Sequence, residues 1–186
     1  MPSRTLLFSG HMIDAPDRKI PRFPPTMESV AREAIAERLD AISAGGNDLA
    51  VCSGACGGDL IFAEAVLARG LALEVYLPFN VDSFAQHSVD FAGENWRRRF
   101  YAVLASSALH LMPTERPPLT EGQDPYEEVN LWMLEAAARF AAYKVVFIAL
   151  WNGQGGDGPG GTQHMLETVH REHGQVHWID TTQLWS

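Results

Sequence analysis

Two short glycine-rich runs hold the residues of this chain that are best placed to do chemistry. Nine of the 16 glycines lie in residues 54–58 and 153–161. Each run follows an apolar segment typical of a buried strand and precedes a segment with helical periodicity. Glycine has no side chain, so backbone N–H groups in such a turn can approach an anion closely, and the next helix adds the unpaired N–H groups of its first turn. The pattern predicts two phosphate cradles that need no lysine.

Neither run matches the best-known nucleotide-binding fingerprints. The chain has no G-x-x-x-x-G-K-[ST] sequence, which disfavours a P-loop NTPase. It also has no clean G-x-G-x-x-G after its first apolar segment, which disfavours an ordinary NAD dehydrogenase. The alternative for both runs is purely structural, because glycines also make tight strand-to-helix turns that bind nothing.

The elements that must position these runs follow from hydrophobic patterning. Apolar runs predict strands at residues 5–8, 49–52, 71–77, 108–112, 143–151 and 176–179. Helical spacing predicts helices at residues 26–42, 60–69, 81–91, 94–106, 126–142 and 162–173, with a proline-rich loop at 113–125. This alternation indicates an α/β fold with a mainly parallel sheet of about six strands and helices on both faces. Nothing marks a linker, so we expect a single domain over residues 1–186.

Composition excludes several functional classes. The chain has 14 Lys+Arg against 23 Asp+Glu, a net charge of −9, which argues against a basic face for duplex nucleic acid. Its longest apolar stretch, residues 145–151, is far shorter than the ~20 residues that span a bilayer. No secretory leader is evident, so we expect a cytoplasmic protein without a membrane partner. Cys52 and Cys56 do not have metal or redox spacing, and we expect neither a metal nor a cofactor.

Four motifs, taken in order along the chain, resemble the SLOG superfamily. They are Ser9-Gly10-His11, residues 53–59 (SGACGGD), Leu77-Pro78-Phe79 and residues 158–162 (GPGGT). That superfamily includes the Lonely Guy enzymes and DNA-processing protein A. The likeness is closest to SLOG domains found beside tetratricopeptide repeats or nucleotidyl cyclases. The resemblance implies a Rossmann-like three-layer α/β/α fold that binds a nucleotide or nucleotide-derived ligand. Because Lonely Guy proteins are dimers, it also implies a homo-oligomer.

The resemblance departs from the hydrolase pattern at one point. Lonely Guy enzymes release a base from a nucleoside monophosphate and carry the signature P-G-G-x-G-T-x-x-E. Here Gly161 is followed directly by Thr162, Met165 stands where that signature has its glutamate, and Glu167 comes two residues later. The family's catalytic arginine has a loose counterpart in residues 97–99 (RRR).

Candidate site residues follow from both lines of reasoning. The candidate catalytic residues are Glu64, Arg98 and Glu167. The candidate ligand-binding residues are Ser9, Gly10, His11, Ser53, Gly54, Ala55, Cys56, Gly57, Gly58, Asp59, Arg97, Trp151, Gly158, Gly160, Gly161 and Thr162.

Several of these residues have a structural alternative. Asp59 meets a ribose hydroxyl or caps the next helix, because a carboxylate beside a phosphate is unfavourable. Trp151 stacks on a base or lies at the edge of the core. Glu64 and the arginines belong to the site or to a solvated helix face, and Asn130 caps a backbone group or reaches the site.

Three functions fit these observations. The first is a sensor that binds a nucleotide-derived ligand and signals through a second copy or an effector protein. The second is a phosphoribohydrolase or other N-glycosidic hydrolase, and the third is an interaction module that binds no ligand. A hydrolase needs an acid that faces the crevice, and the candidates are Asp59, Glu64, Asp157 and Glu167.

Overall fold

In the computed structural model, which describes residues 1–155 and 160–185, six apolar segments form one parallel sheet. The strands are β1 (Thr5–Gly10), β2 (Leu49–Cys52), β3 (Ala72–Leu77), β4 (Ala108–Leu111), β5 (Val145–Trp151) and β6 (Gln175–Asp180). Their order across the sheet is β4-β3-β2-β1-β5-β6, and each neighbouring pair is parallel. The predicted α/β fold, Rossmann-like with three layers, is confirmed.

Helices cover both faces of this sheet. The longer ones are α1 (Glu28–Ala41), α2 (Gly58–Ala68), α3 (Val81–Ser88), α4 (Glu94–Leu104), α6 (Pro125–Ala138) and α7 (Thr162–Arg171), and one-turn helices are α5 (Met112–Glu115) and α8 (Thr181–Leu184). Short 3-10 turns occupy Pro25–Met27, Asp90–Ala92 and Ala142–Lys144. Across these described segments, no helix combines the length and apolar character needed to cross a membrane.

The core has two parts because side chains alternate across a strand. Leu6 and Phe8 of β1 point to the face covered by α1, α2 and α4, where the rings of Phe8 and Phe62 stack at 4.6 Å between centroids. Leu7 points to the opposite face and packs with residues of α6 and α7. All seven residues of β5 are buried, which explains the continuous apolar run in the sequence.

Two expected helices end three or more residues earlier than predicted. The segment 126–142 is helical to Ala138, with Arg139 as the C-cap. Ala141 then has extended backbone (φ −177°, ψ 124°), and β5 begins at Val145 rather than at residue 143. The segment 81–91 divides at Val89, whose φ of −137° ends α3, before the turn at 90–92. The one-turn helix α5 lies in a stretch expected to be loop from residue 113 onward.

The chain reverses its direction across the sheet between β1 and β5. From β1 it runs outward through β2 and β3 to β4, and it then returns to place β5 on the other side of β1. In sheets of this kind, ligands bind beyond the carboxyl ends of the strands near such a reversal. The loops after β1, β2 and β5 meet at that edge.

Candidate functional site

A cavity of about 310 Å³ lies beyond the carboxyl ends of β1 and β2. Strand β1 contributes Ser9 and Gly10, and the loop that follows β2 contributes Ser53 and Ala55. The first turn of α2 contributes Asp59. The remaining walls come from Phe8, Met12, Phe84, His87, Ser88, Tyr126, Val129, Asn130 and Met133. The cavity therefore joins predicted motif residues to walls supplied by α3 and α6.

The first glycine run is held tightly against the loop that follows β1. Gly57 has a φ of +111°, and a Cβ there would lie 2.6 Å from the backbone nitrogen of Ile13. On either side of Gly57, the Ile13 N–H donates to the Cys56 carbonyl at 3.0 Å and the Gly58 N–H donates to the His11 carbonyl at 3.0 Å. This close backbone contact requires glycine at position 57.

Three amides of the expected first cradle already donate to protein acceptors. Besides Gly58, the Cys56 N–H donates to the Ser88 carbonyl at 2.9 Å, and the Ala55 N–H donates to the Asp59 carboxylate at 3.3 Å. These contacts leave fewer N–H groups for an anion than the sequence pattern indicated. Within the described part of the chain, Gly54, Cys56, Gly57 and Gly58 do not line the cavity, whereas Ser53, Ala55 and Asp59 do.

Asp59 is a buried ionisable residue in the cavity wall. It is 7% exposed, and burial raises its pKa to about 7, partly opposed by the hydrogen bond from the Ala55 N–H. Asp59 is not the cap of α2, because Gly57 occupies the N-cap position and Asp59 lies in the first turn. Near neutral pH its carboxyl group can donate or accept a hydrogen bond.

Helix α6 supplies the opposite wall from a well-defined start. The Asp124 side chain accepts hydrogen bonds from the Tyr126 and Glu127 amides at 2.8 and 3.0 Å, and Pro125 occupies the first turn. The Tyr126 hydroxyl lies 3.2 Å from the Ser88 hydroxyl at the end of α3. The cap thus sets where α6 begins, and this helix places Tyr126 and Asn130 in the cavity wall.

The described end of the second glycine run packs on α6. Asn130 Nδ2 donates to the Gly160 carbonyl at 3.0 Å, and the Gly160 N–H donates to His164 Nδ1 at 3.0 Å. Gly160 has a φ of +76°, and a Cβ there would collide with the Glu127 carbonyl. Asn130, for which the sequence left two roles open, therefore binds a backbone group and also lines the cavity.

This packing brings the second run next to β1. Gly161 is the N-cap of α7, and the Thr162 hydroxyl lies 3.5 Å from the Ser9 hydroxyl. Gly158, another candidate ligand-binding residue, lies outside the described residues.

His11 and Trp151 occupy the other side of β1. His11 Nε2 accepts a hydrogen bond from the Asn152 N–H at 3.1 Å, and burial lowers the His11 pKa to about 4. Trp151 is buried at the end of β5, where its indole N–H donates to the Gln154 carbonyl at 3.1 Å and its ring packs on Trp178. The structure gives Trp151 the core-edge position, and it is not part of the cavity lining.

The candidate residues on α2 and α4 lie away from the cavity. Glu64 binds Arg99 at 2.6 Å and Arg32 at 3.1 Å. Arg97 binds Asp90 at 3.0 Å, and Arg98 is exposed.

The acids named as hydrolase candidates therefore separate clearly. Glu167 is exposed and accepts a hydrogen bond from Gln163. Of the four acids, Asp59 is the one that lines the cavity in the described residues, and Asp157 lies outside them.

Several lining residues carried no motif that the sequence could reveal. Phe84, His87 and Ser88 belong to the segment 81–91, which was expected only to be helical. Tyr126 comes one residue after the start of α6. The tertiary packing of α3 and α6 over the strand ends makes these residues part of the site, and a polar residue at a helix end is too common a signal to predict it.

The metal-ligating side chains of residues 1–155 and 160–185 do not cluster, and both cysteines are buried. These residues contain no group of three or more His, Cys, Asp or Glu side chains placed to hold an ion. Burial raises the pKa of the Cys56 thiol to about 12 and that of Cys52 well above its usual value. Both thiols therefore stay protonated at neutral pH and are poor nucleophiles.

No protein-family model matches the chain, and no curated protein matches it significantly.

Proposed function

We propose that the protein binds a small nucleoside or nucleotide-derived ligand in the cavity at the ends of β1 and β2. The observation that carries the proposal is the buried Asp59 carboxyl group, which lines an otherwise largely apolar cavity together with Ser9, Ser53 and Asn130. Apolar side chains suit the faces of a heterocycle, and a few hydroxyl, amide and carboxyl groups suit its edge or the hydroxyls of a sugar.

The size of the cavity supports a small ligand. Ligand pockets commonly enclose roughly 300–1,000 Å³, and this cavity, at about 310 Å³, lies at the lower end. It suits a nucleoside-sized group better than a whole dinucleotide. If a dinucleotide such as NAD binds, one half must lie outside the cavity.

The resemblance to SLOG domains supports a role in signalling. In that proposal, ligand binding orders the walls contributed by α3 and α6 around the ligand. A second copy of the chain or an effector protein then reads the bound state. The oligomeric state and the effector are parts of the proposal, and neither is needed for binding itself.

A second candidate function is N-glycosidic hydrolysis, and the environment of Asp59 favours it. A pKa of about 7 populates both protonation states near neutral pH, as general acid–base catalysis requires. The carboxylate would accept a proton from water as that water attacks the anomeric carbon; the carbon–nitrogen bond would break, and the departing base would take up that proton from the carboxyl group. A carboxylic acid would instead donate a proton to the departing base. In either case one water is added, and Asp59, rather than Glu64 or Glu167, is the catalytic acid proposed.

A ligand screen tests binding directly. Thermal shift and titration calorimetry would use nucleobases, nucleosides, nucleoside monophosphates, NAD, ADP-ribose and cyclic nucleotides. We expect at least one to raise the melting temperature of the wild type, and Asp59→Asn to weaken its binding. Glu33→Gln, which alters an exposed acid on α1, is the matched control and should bind as the wild type does. Failure of every compound at millimolar concentration would contradict the proposal and favour a module without a ligand.

Chromatography of the same mixtures separates the sensor from the hydrolase. Release of free base by the wild type, lost in Asp59→Asn but kept in Glu33→Gln, would support hydrolysis. Tight binding with no base released over many hours would support the sensor.

A further inference from the structure

A second cavity of about 310 Å³ adjoins the first, and Met12 and His87 belong to the linings of both. The loop after β1 forms most of its wall and contributes His11, Arg18 and Arg22. Apart from His11, this proline-rich loop contains none of the candidate site residues predicted from the sequence. Arg18 and Arg22 follow His11 in the same loop, but the sequence analysis did not single them out.

Hydrogen bonds between its two ends hold the loop that carries both arginines in place. The Asp14 carboxylate accepts hydrogen bonds from the backbone amides of Arg22 and Phe23 at 2.9 and 3.0 Å, and the Asp14 N–H donates to the Phe23 carbonyl at 2.9 Å. Phe23 is fully buried and stacks on Trp185, whose indole N–H donates to the Arg22 carbonyl at 2.9 Å. The position of Arg22 in the cavity wall is thus set by an anchored backbone.

The charges in this loop leave a cation available. Arg18 pairs with Asp14 at 3.1 Å, and that carboxylate also binds two backbone amides. For the guanidinium group of Arg22, no acceptor or ion-pair partner occurs in the described part of the chain. The described lining of this cavity therefore contains two exposed arginines and no acid, although the whole chain is strongly acidic.

His11 adds a hydrogen-bond donor without adding charge. Its Nε2 accepts from the Asn152 N–H, so the proton of the neutral ring is on Nδ1. Neutral His11 does not repel the neighbouring arginines, and it lines the same cavity.

The first cavity differs from the second in the charge of its lining. No arginine or lysine occurs in its described lining, and Asp59 is one of its walls. The amides of Ala55, Cys56 and Gly58 already have protein acceptors. An anionic group would therefore find little compensation there and more in the adjoining cavity.

We propose that the cavity lined by Arg18 and Arg22 is the subsite for the phosphate of a nucleoside monophosphate whose base and sugar occupy the first cavity. The proposal rests on the proposed function. Arg22 contacts the phosphate directly, because a guanidinium group can bind two phosphate oxygens at once. Arg18 exchanges part of its contact with Asp14 for the ligand. The ligand passes between the two cavities beside Met12 and His87.

Calorimetry with matched ligands tests this assignment. The probes are the four ribonucleosides and their 5′-monophosphates, titrated into wild type, Arg22→Gln, Arg18→Gln and Arg171→Gln. Arg171 is an exposed arginine on α7 outside both linings, so its variant is a control for the loss of one positive charge. Circular dichroism and melting temperature check that each variant folds.

We expect the wild type to bind a monophosphate more tightly than its nucleoside. Arg22→Gln should weaken binding of the monophosphate by roughly ten- to a hundredfold, the usual effect of losing a hydrogen bond to a charged group. It should leave the affinity for the nucleoside unchanged. Two results would overturn the subsite. One is that Arg22→Gln weakens binding of the nucleoside and of the monophosphate by the same factor; the other is that Arg171→Gln weakens binding of the monophosphate as much as Arg22→Gln does.

A probe without a base separates this inference from the proposed function. If no nucleoside or monophosphate binds, ³¹P line broadening of orthophosphate is measured with the wild type and with the Arg18→Gln/Arg22→Gln double variant. Broadening that disappears in the double variant supports the anion site although the nucleotide proposal has failed. No broadening, or broadening that is the same in both proteins, overturns the anion site.

Discussion

The imidazole Nε2 of His11 accepts a hydrogen bond from the backbone N–H of Asn152, with 3.1 Å between the two nitrogens. This bond joins the loops after β1 and β5, the two strands between which the strand order reverses. Burial lowers the His11 pKa to about 4, so the ring is neutral near pH 7 and can accept this bond. On the β1–β5 side of the reversal, this hydrogen bond therefore connects the two loops directly. The cavity with Asp59 lies on the other side, between the ends of β1 and β2.

His11 and Asp59 should give stability opposite dependences on pH. Asp59 has a pKa of about 7 in the folded chain against 3.8 ordinarily, so the folded state holds more protons and stability falls as pH rises from about 4 to 7. His11 has a pKa of about 4 against 6.5, so the folded state holds fewer protons and stability falls as pH drops from 6.5 to 4. Each contribution is at most about 4 kcal/mol, and between pH 4 and 6.5 they largely cancel.

Single variants should expose each slope. Relative to wild type, Asp59→Asn should gain stability steadily from pH 4 to 7, because asparagine has no carboxyl group whose ionisation opposes burial. His11→Gln should gain relative stability as pH falls from 6.5 to 4. Urea unfolding at half-unit pH steps measures both differences, and groups common to all three proteins cancel. Free-energy differences that do not vary with pH would show that neither side chain is held in the environment described.

The backbone contact at Gly57 should make this position intolerant of any side chain. Gly57→Ala places a Cβ against the backbone of Ile13 and keeps a φ of +111°, so we expect a loss of about 3 kcal/mol or more. Gly70→Ala is the matched control, because Gly70 also has positive φ (+75°) but open space around its Cβ position. That change should cost about 1 kcal/mol. Equal losses in chemical denaturation would mean that the contact with Ile13 contributes nothing.

Glu64 should act in stability and not in ligand binding. It binds Arg99, whose guanidinium also lies 3.8 Å from the ring centroid of Trp96, and this network joins α2 to α4. Glu64→Gln should therefore lower the free energy of unfolding by about 1 kcal/mol, because the pair is partly exposed. A double-mutant cycle with Arg99→Gln measures the coupling. A large loss of ligand affinity or base release in folded Glu64→Gln would return Glu64 to the candidate site.

The strands could be predicted because buried parallel strands have continuous apolar sequences, as Val145–Trp151 does. The loops that end β1 and β2 could also be predicted to lie at one edge, which brings Ser9, Ser53 and Asp59 together. The walls from α3 and α6 could not, because Ser88 and Tyr126 approach the loops only through tertiary packing. The reason for Gly57 was equally hidden, since its contact with Ile13 joins segments distant in sequence.

Filling the cavity tests its role as the ligand site most directly. Ser53→Phe places a large ring in the wall at the end of β2, and Ser106→Phe places the same ring at an exposed position after α4. Both proteins are titrated by calorimetry with the nucleoside or monophosphate that gives the largest thermal shift, once circular dichroism has shown that they fold. We expect Ser53→Phe to lose at least roughly tenfold in affinity, about 1.4 kcal/mol, and Ser106→Phe to bind as the wild type does. Wild-type affinity in folded Ser53→Phe would contradict binding in this cavity.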